Sequence, residues 1–147
     1  MGKCELCDRV NASFNAAPKQ LTPLPIVGLF YRRGVDLAGP MNPTSSAGNR
    51  YVMVLVEHFS KHIEAVPIPD KLAATTARVL VETVLCRFDS CAEVITDGGT
   101  EFAGEFDDVL KMALIDHRRT APNHPQADGL AERAVQTICI KIFEEVV

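Results

Sequence analysis

The amino-acid sequence predicts an α/β domain in which a mixed sheet is flanked by helices, and two segments carry that prediction. Residues 51–58, YVMVLVEH, form a nearly continuous apolar run, which is typical of a strand covered on both faces. Residues 73–88 then change to helical spacing, which puts Leu80, Val84 and Phe88 on one side. A chain that alternates strands with amphipathic helices in this way favours a single sheet with helices packed on its faces.

The remaining elements follow from the same two periodicities. The strands of a five-stranded sheet are predicted at residues 29–37, 51–58, 62–68, 92–96 and 116–120. Helices are predicted at residues 73–88, 105–115 and 129–147. The segment APNHPQADG (121–129) is a loop by composition, and residues 1–28 are predicted to be a connector because Pro18, Pro23 and Pro25 fall close together.

Length and composition indicate one ordinary globular domain. The chain has 147 residues, of which 47% are hydrophobic and 23% are charged, and a chain of this kind can bury a core. No apolar run reaches the roughly 18 residues that a membrane span needs, and MGKCELCDRV lacks the apolar stretch of a signal peptide. We therefore expect an intracellular protein whose five cysteines are free thiols or metal ligands.

The net charge of −4 conceals an asymmetry along the chain. Residues 1–61 hold seven Lys/Arg against four Asp/Glu, whereas residues 62–147 hold eight against fifteen. Proteins that coat nucleic acid are usually basic, because phosphate contacts dominate their affinity. The acidic excess argues against that class, but it is compatible with carboxylates that hold divalent cations, which reverse the local field.

Three carboxylates lie at the end or the beginning of regular elements, next to small residues. Asp36 lies near the end of the first strand in GVDLAGP, Asp97 precedes Gly-Gly in VITDGGTEF, and Glu132 lies in the first turns of the last helix. Small neighbours allow a phosphate backbone and hydrated ions to come close. Taken singly, each acid is more often structural, because Asp before Gly is common in turns and Glu at a helix start complements the helix dipole.

Taken together, the three acids indicate a metal site. Carboxylates that converge within a few ångströms repel one another, so one of them takes up a proton unless cations intervene. Two Mg²⁺ or Mn²⁺ ions roughly 3.5–4 Å apart would make the cluster a template for in-line displacement at phosphorus. Oxygen ligands suit such hard cations, and no set of histidines and cysteines accompanies them to suggest catalytic zinc.

The chain resembles the catalytic core of the integrases of retroviruses and gypsy-like LTR retrotransposons. The resemblance covers nearly the whole chain, from CELC through VDLAGP, GNRYVMVLVEHFSKHIEAVPIP and ITDGGTEF to NHPQADGLAERAVQT. The last block is the most specific, because it combines His-Pro-Gln (124–126) with Gly129 and Glu-Arg (132–133). One departure is Arg33, which stands where an aromatic residue is usual.

The resemblance implies an RNase H-like fold in which Asp36, Asp97 and Glu132 are the catalytic D,D-E triad and the ligands of two Mg²⁺ or Mn²⁺ ions. The implied reaction is polynucleotidyl transfer, in which water cuts the ends of the element's DNA copy and the new 3′-hydroxyls attack target DNA. The implied partners are element and target DNA and further copies of the chain, in the nucleus at the time of integration. The implied organisation is a linker with a remnant of a zinc-binding module (1–28) and a catalytic core truncated in its last helix (29–147), both part of a polyprotein.

Six residues are candidates for contact with DNA: His124, Pro125, Gln126, Arg133, Gln136 and Lys61. The first three precede the last helix in a loop, and loops on a rigid scaffold tend to carry function, although a connector punctuated by proline is the alternative. Arg133 and Gln136 lie near the Glu132 face of the helix, where an exposed, solvated arginine is nearly as common. Lys61 follows the second strand, and charged residues in that position are usually only solvated.

Cys4 and Cys7 form a Cys-x-x-Cys pair, which is half of the four ligands that structural zinc needs. By resemblance the pair is the end of an N-terminal module that supplies two histidines upstream, so we expect zinc only in a complete module and free thiols otherwise. Two alternatives to an active core stay open. One is a non-catalytic, DNA-binding or dimerising remnant of an integrase, and the other is ribonuclease H proper, against which the NHPQADGLAER block speaks.

Overall fold

A five-stranded sheet forms the centre of the domain, of which the computed structural model describes residues 27–120 and 133–137. The strands are β1 (Arg32–Ala38), β2 (Tyr51–Glu57), β3 (Ile63–Ile68), β4 (Glu93–Thr96) and β5 (Asp116–Arg119), in the spatial order β3-β2-β1-β4-β5. The pairs β1–β2 and β2–β3 are antiparallel, and the pairs β1–β4 and β4–β5 are parallel. The predicted mixed five-stranded sheet is therefore confirmed.

Helices follow β3 and β4. α1 (Ala73–Leu80) runs without a break into a π-helical turn (Val81–Leu85) and then α2 (Cys86–Phe88), which confirms the helix predicted at 73–88. A 3₁₀ turn (Thr100–Phe102) and α3 (Glu105–Met112) follow β4. Residues 133–137 are helical, as predicted, whereas the rest of that helix, the predicted loop and most of the predicted connector lie outside the described residues. No helix in the described ranges is long and apolar enough to span a membrane.

Two predicted boundaries were wrong for reasons of local backbone geometry. The first strand begins at Arg32 and not at residue 29, because residues 29–31 form a turn in which Phe30 has a φ of 59°. The second predicted helix ends at Met112 and not at residue 115, because Leu114 has a φ of 57° and the Ile115 amide turns back to donate to the Leu110 carbonyl at 2.9 Å. A left-handed residue just past the last turn is a common way to end a helix.

The two faces of the sheet pack against different helices. One face carries the larger core, which the sheet shares with α1 and α3 and which includes Val35, Met53, Leu55, Val94, Leu80, Phe106 and Leu110. The opposite face carries a smaller cluster, in which Val54 and Val56 of β2 pack with Ala134 of the final helix. Because successive strand residues point to opposite faces, β2 contributes to both clusters. This cover on both sides explains the nearly continuous apolar run in its sequence.

Candidate functional site

Asp36 and Asp97 lie at the same level of two neighbouring parallel strands. β1 and β4 pair with Gly34 opposite Ile95, and the same register continued along both segments brings position 36 beside position 97. Both acids therefore lie at the carboxyl ends of their strands. The strand order β3-β2-β1-β4-β5 reverses its direction along the chain between β1 and β4. The carboxyl end of the β1–β4 pair is therefore a topological switch point, where α/β sheets commonly bind ligands.

The two acids also share a face of the sheet. Val35 and Val94 point into the larger core, and alternation along the strands therefore directs Asp36 and, one residue past β4, Asp97 to the opposite face. Val54, the partner of Asp36 on β2, packs on that opposite face against Ala134. The final helix therefore covers the face to which both acids point.

Local hydrogen bonds hold the carboxylate of each acid. Oδ1 of Asp36, which is half-buried, accepts a hydrogen bond from the Leu37 amide at 2.7 Å. Oδ1 of Asp97, which is exposed, accepts one from the Gly99 amide at 2.9 Å. A Cβ added at Gly99 would lie 2.9 Å from Asp97 Oδ1 and 2.8 Å from Glu101 Oε2, which is closer than real Cβ atoms come. Only glycine fits at this position without moving a carboxylate.

A partly buried polar network lies behind Asp97, on the side of the larger core. The Thr96 hydroxyl donates to the Asp97 main-chain carbonyl at 2.9 Å and lies 2.9 Å from Nε2 of His117. Nδ1 of His117 lies 2.5 Å from Oδ1 of Asp107, and Arg119 donates to the second oxygen of that carboxylate at 2.9 Å. This network is not predictable from the sequence, because its residues come from β4, β5 and α3 and form no local motif.

The ion pairs of the network change the acidity of Asp107. Its hydrogen bond with His117 lowers the pKa of the carboxyl group, burial acts in the opposite direction, and the charges of Arg119 and Lys111 lower it further. The net result is a pKa below the ordinary value for Asp. Asp107 is therefore held as a carboxylate, which can only accept hydrogen bonds.

Lys61 lies at the other end of the sheet. β1 and β2 pair antiparallel with Arg33 opposite Glu57, so the turn after β2 lies beside the start of β1 and away from Asp36. The Lys61 ammonium donates to the His58 carbonyl in that turn at 2.6 Å. The structure does not bring Lys61 together with the two acids, and its contact with DNA stays a prediction.

Arg133 and Gln136 are exposed on the described turn of the final helix, whereas Ala134 is buried against the sheet. Both side chains are therefore accessible on the helix that covers the face of Asp36 and Asp97. The other sequence-predicted site residues lie outside the described ranges, so their roles stay predictions: Cys4, Cys7, His124, Pro125, Gln126 and Glu132.

The oxygen donors of Asp36 and Asp97 fit a hard cation such as Mg²⁺ or Mn²⁺. Gly98 and Gly99 add no side chains beside the exposed carboxylate of Asp97, and the nearby Glu101 carboxylate contributes further negative charge. Two acids do not complete a site, and in residues 27–120 and 133–137 no group of three or more His, Cys, Asp or Glu is placed to hold a metal ion. In the same ranges Cys86 and Cys91 are free thiols, as expected.

Comparison with known sequences reveals relatives among mobile elements and retroviruses. The chain is 33% identical over 110 residues to the retrovirus-related Pol polyprotein from transposon 412 of Drosophila melanogaster, which covers 74% of the chain and 9% of that protein. It is 24% identical over 150 residues to the Gag-Pol polyprotein of walleye dermal sarcoma virus, which covers 98% of the chain and 8% of that protein. The chain thus spans less than a tenth of either relative. No protein-family model matches it.

Comparison with solved structures reveals the same kinship. The catalytic core domain of BIV integrase superposes with a TM-score of 0.58 at 25% identity, covering 72% of this chain and 64% of that one. The simian T-cell lymphotropic virus intasome, solved in complex with PP2A regulatory subunit B56 gamma, superposes with a TM-score of 0.68 at 21% identity, covering 97% and 50%. The RNase H-like fold expected from the resemblance is confirmed. By its relatives and by its fold, the chain belongs with the integrase catalytic cores of retroviral and transposon Pol polyproteins.

Proposed function

We propose that the chain is the catalytic core of a polynucleotidyl transferase that integrates retroelement DNA, by processing its 3′ ends and joining them to target DNA. The observation that carries the proposal is the alignment of Asp36 and Asp97 at the switch point of the sheet, on one face and at one level. Two carboxylates so placed repel each other unless a cation lies between them. The arrangement therefore favours a metal-dependent reaction over a purely structural role.

Asp36, Asp97 and Glu132 would hold two Mg²⁺ or Mn²⁺ ions. Bound ions would supply positive charge that stabilises the attacking and leaving oxygens of a phosphodiester. The Leu37 and Gly99 amides orient the carboxylates of Asp36 and Asp97. Support for Glu132 comes from chain order alone, because it directly precedes residues 133–137, which pack on the face to which both acids point.

DNA is the proposed substrate, both as element ends and as target. Arg133 and Gln136 are exposed on the helix that covers this face, and an exposed guanidinium offers a phosphate contact. His124, Pro125, Gln126 and Lys61 are proposed as further contacts on the sequence argument. The intasome among the structural relatives supports assembly of several copies, and the proposed location is the nucleus at the time of integration.

A strand-joining assay with the purified chain, Mn²⁺ and a branched DNA substrate tests the proposal. Asp97→Asn keeps the shape of the side chain but weakens its hold on a cation, and we expect at least a hundredfold loss of joined product. Asp108→Asn is the matched control, because Asp108 is an exposed acid on α3 and the variant should retain the activity of the wild type.

Titration of Mn²⁺ by calorimetry separates this proposal from its rival. The wild type should bind Mn²⁺ and Asp97→Asn should bind it weakly. If the two proteins have the same affinity and the same strand-joining activity, the catalytic proposal is wrong. The chain would then be a non-catalytic, DNA-binding or dimerising relative of the integrases.

A further inference from the structure

The contacts behind Asp97 restrict where the hydrogen atoms of the network can lie. Thr96 Oγ1 has one hydrogen and lies 2.9 Å from the carbonyl oxygen of Asp97 and 2.9 Å from Nε2 of His117. The carbonyl oxygen at one end of the network and the Asp107 carboxylate at the other can only accept. All three contacts are hydrogen bonds in only one arrangement, in which both ring nitrogens of His117 carry a hydrogen, as they do in the imidazolium form: Thr96 donates to Asp97, Nε2 of His117 donates to Thr96, and Nδ1 donates to Asp107.

Burial gives this arrangement its importance. The Thr96 residue is fully buried and the His117 side chain is only 8% exposed, so water does not readily replace either partner. If Nε2 did not donate, its lone pair would compete with the Asp97 carbonyl for the single hydrogen of the hydroxyl. Because Nε2 donates, the hydroxyl hydrogen remains available for the Asp97 carbonyl. The hydrogen bond between Nδ1 and Asp107 in turn fixes the orientation of the ring.

The Asp97 carbonyl lies just beyond the end of the strand ladder. Among the described residues, the last backbone bond of this pairing is donated by the Thr120 amide to the Thr96 carbonyl at 2.9 Å. The next peptide, between Asp97 and Gly98, leads into the glycines, where the backbone has most freedom. The Thr96 hydroxyl fixes the main-chain carbonyl of Asp97, and the Gly99 amide fixes its carboxylate.

We infer that His117 is a positioning residue for Asp97, acting through the Thr96 hydroxyl and held in its own orientation by Asp107. His117 is the strand partner of Val94, so its side chain lies on the face of the larger core and not on the face to which the acids point. Its effect on metal binding rests on the proposed function, but its effect on the Asp97 backbone does not. Partners that orient ligand-bearing groups in this way typically change metal affinity or activity by about 10–100-fold when they are replaced.

Two substitutions at position 117 distinguish the contact of Nε2 with Thr96 from the contact of Nδ1 with Asp107. The amide nitrogen of Gln reaches the place of Nε2, so His117→Gln keeps a donor for Thr96. The amide nitrogen of Asn reaches only the place of Nδ1, so His117→Asn keeps the contact with Asp107 and loses the one with Thr96. We expect His117→Asn to weaken Mn²⁺ binding and to lower kcat for strand joining by about tenfold or more, with KM for DNA unchanged and with His117→Gln much closer to the wild type.

A core variant controls for general destabilisation. Leu80 is fully buried in α1 and belongs to the larger core, and Leu80→Ala should lower the melting temperature at least as much as His117→Asn without changing Mn²⁺ affinity. Thr96→Val removes the hydroxyl and should reproduce the loss seen in His117→Asn. The double variant should be no worse than either single one, because both changes break the same link.

Amide hydrogen exchange provides a readout that is independent of metal and of catalysis. The Gly99 amide donates to the Asp97 carboxylate, so its exchange should be faster in His117→Asn than in His117→Gln. Equal Gly99 exchange in the two variants would overturn the inference. So would wild-type Mn²⁺ affinity in His117→Asn when Asp97→Asn has lost it, and that result would leave the proposed function intact. Unaltered metal binding in Asp97→Asn would instead refute the proposed function, while the exchange comparison would still test the role of His117.

Discussion

Arg32 and Arg33 are neighbours in β1, and both are buried, yet their charges are accommodated in different ways. Arg32 pairs with the Glu93 carboxylate at 2.5 Å. The guanidinium of Arg33 lies over the rings of Phe30 and Phe88, 5.4 and 5.2 Å from their centroids, and its Nε and Nη2 have no hydrogen-bond acceptor among the described residues. Burial lowers the pKa of Arg33. A flat cation thus stands where the resemblance led us to expect an aromatic residue.

Replacing each arginine by Met tests this difference. Arg33→Met should leave the free energy of unfolding unchanged or raise it by about 1–3 kcal/mol, because it removes a buried charge two of whose nitrogens lack acceptors among the described residues and keeps contact with the two rings. Arg32→Met should lower it by about 1–3 kcal/mol, because Glu93 loses its buried partner and keeps, in the described part of the chain, only the half-exposed Arg118 at 3.1 Å. Urea denaturation of the two variants measures both changes. A large loss of stability in Arg33→Met would contradict the account.

At the scale of elements, polar bonds tie α1, α3 and β5 to the segment that follows Asp97. The Thr76 hydroxyl of α1 lies 2.7 Å from the Glu101 carbonyl in the 3₁₀ turn. Arg119 of β5 donates to the Phe102 carbonyl at 3.2 Å and to Asp107 of α3. The glycines after Asp97 would otherwise allow this segment several conformations. The surrounding elements therefore select one of them.

The pH dependence of the free energy of unfolding tests the contribution of the Asp107 carboxylate to these bonds. Because the folded state lowers the pKa of Asp107, its carboxylate contributes stability above the ordinary pKa of Asp, and that contribution is lost as pH falls through the lower, folded value. Asp107→Asn lacks the contribution. The difference in unfolding free energy between wild type and Asp107→Asn should therefore be largest near neutral pH and shrink in acid. A difference that is constant from neutral pH into the acid range would show that the carboxylate is not stabilised by its partners.

At the scale of the whole molecule, the final helix closes the face on which the acids lie. Ala134 is buried against Val54 and Val56, and Val135 is partly buried beside them. Val54 is also the strand partner of Asp36. The packing of one small residue therefore sets the distance between the helix that follows Glu132 and the strand that carries Asp36.

A large residue at position 134 should separate the helix from the sheet. Ala134→Phe should lower the free energy of unfolding by about 1–3 kcal/mol through overpacking, and should also weaken Mn²⁺ binding, because Glu132 is the neighbour in the chain of the described helical residues 133–137. The same side chain in Thr137→Phe lies at an exposed position and should change neither property. Chemical denaturation and calorimetric titration of the two variants make the comparison. Unchanged Mn²⁺ affinity in a destabilised Ala134→Phe would mean that the helix does not help to build the site.

Local pattern in the sequence determined most of the secondary structure and made Asp36 and Asp97 candidates for the site. The apolar run of β2, the helical spacing of residues 73–88 and the glycines after Asp97 are properties of short segments, and each is read correctly because backbone periodicity and turn chemistry are local. Only the tertiary structure decided that Asp36 and Asp97 share a level and a face, that His117 reaches Thr96, and that Lys61 lies at the opposite end of the sheet. Strand register and contacts between distant residues depend on how β1, β4 and β5 pair and on which helix covers each face, and no local stretch of the chain contains that information.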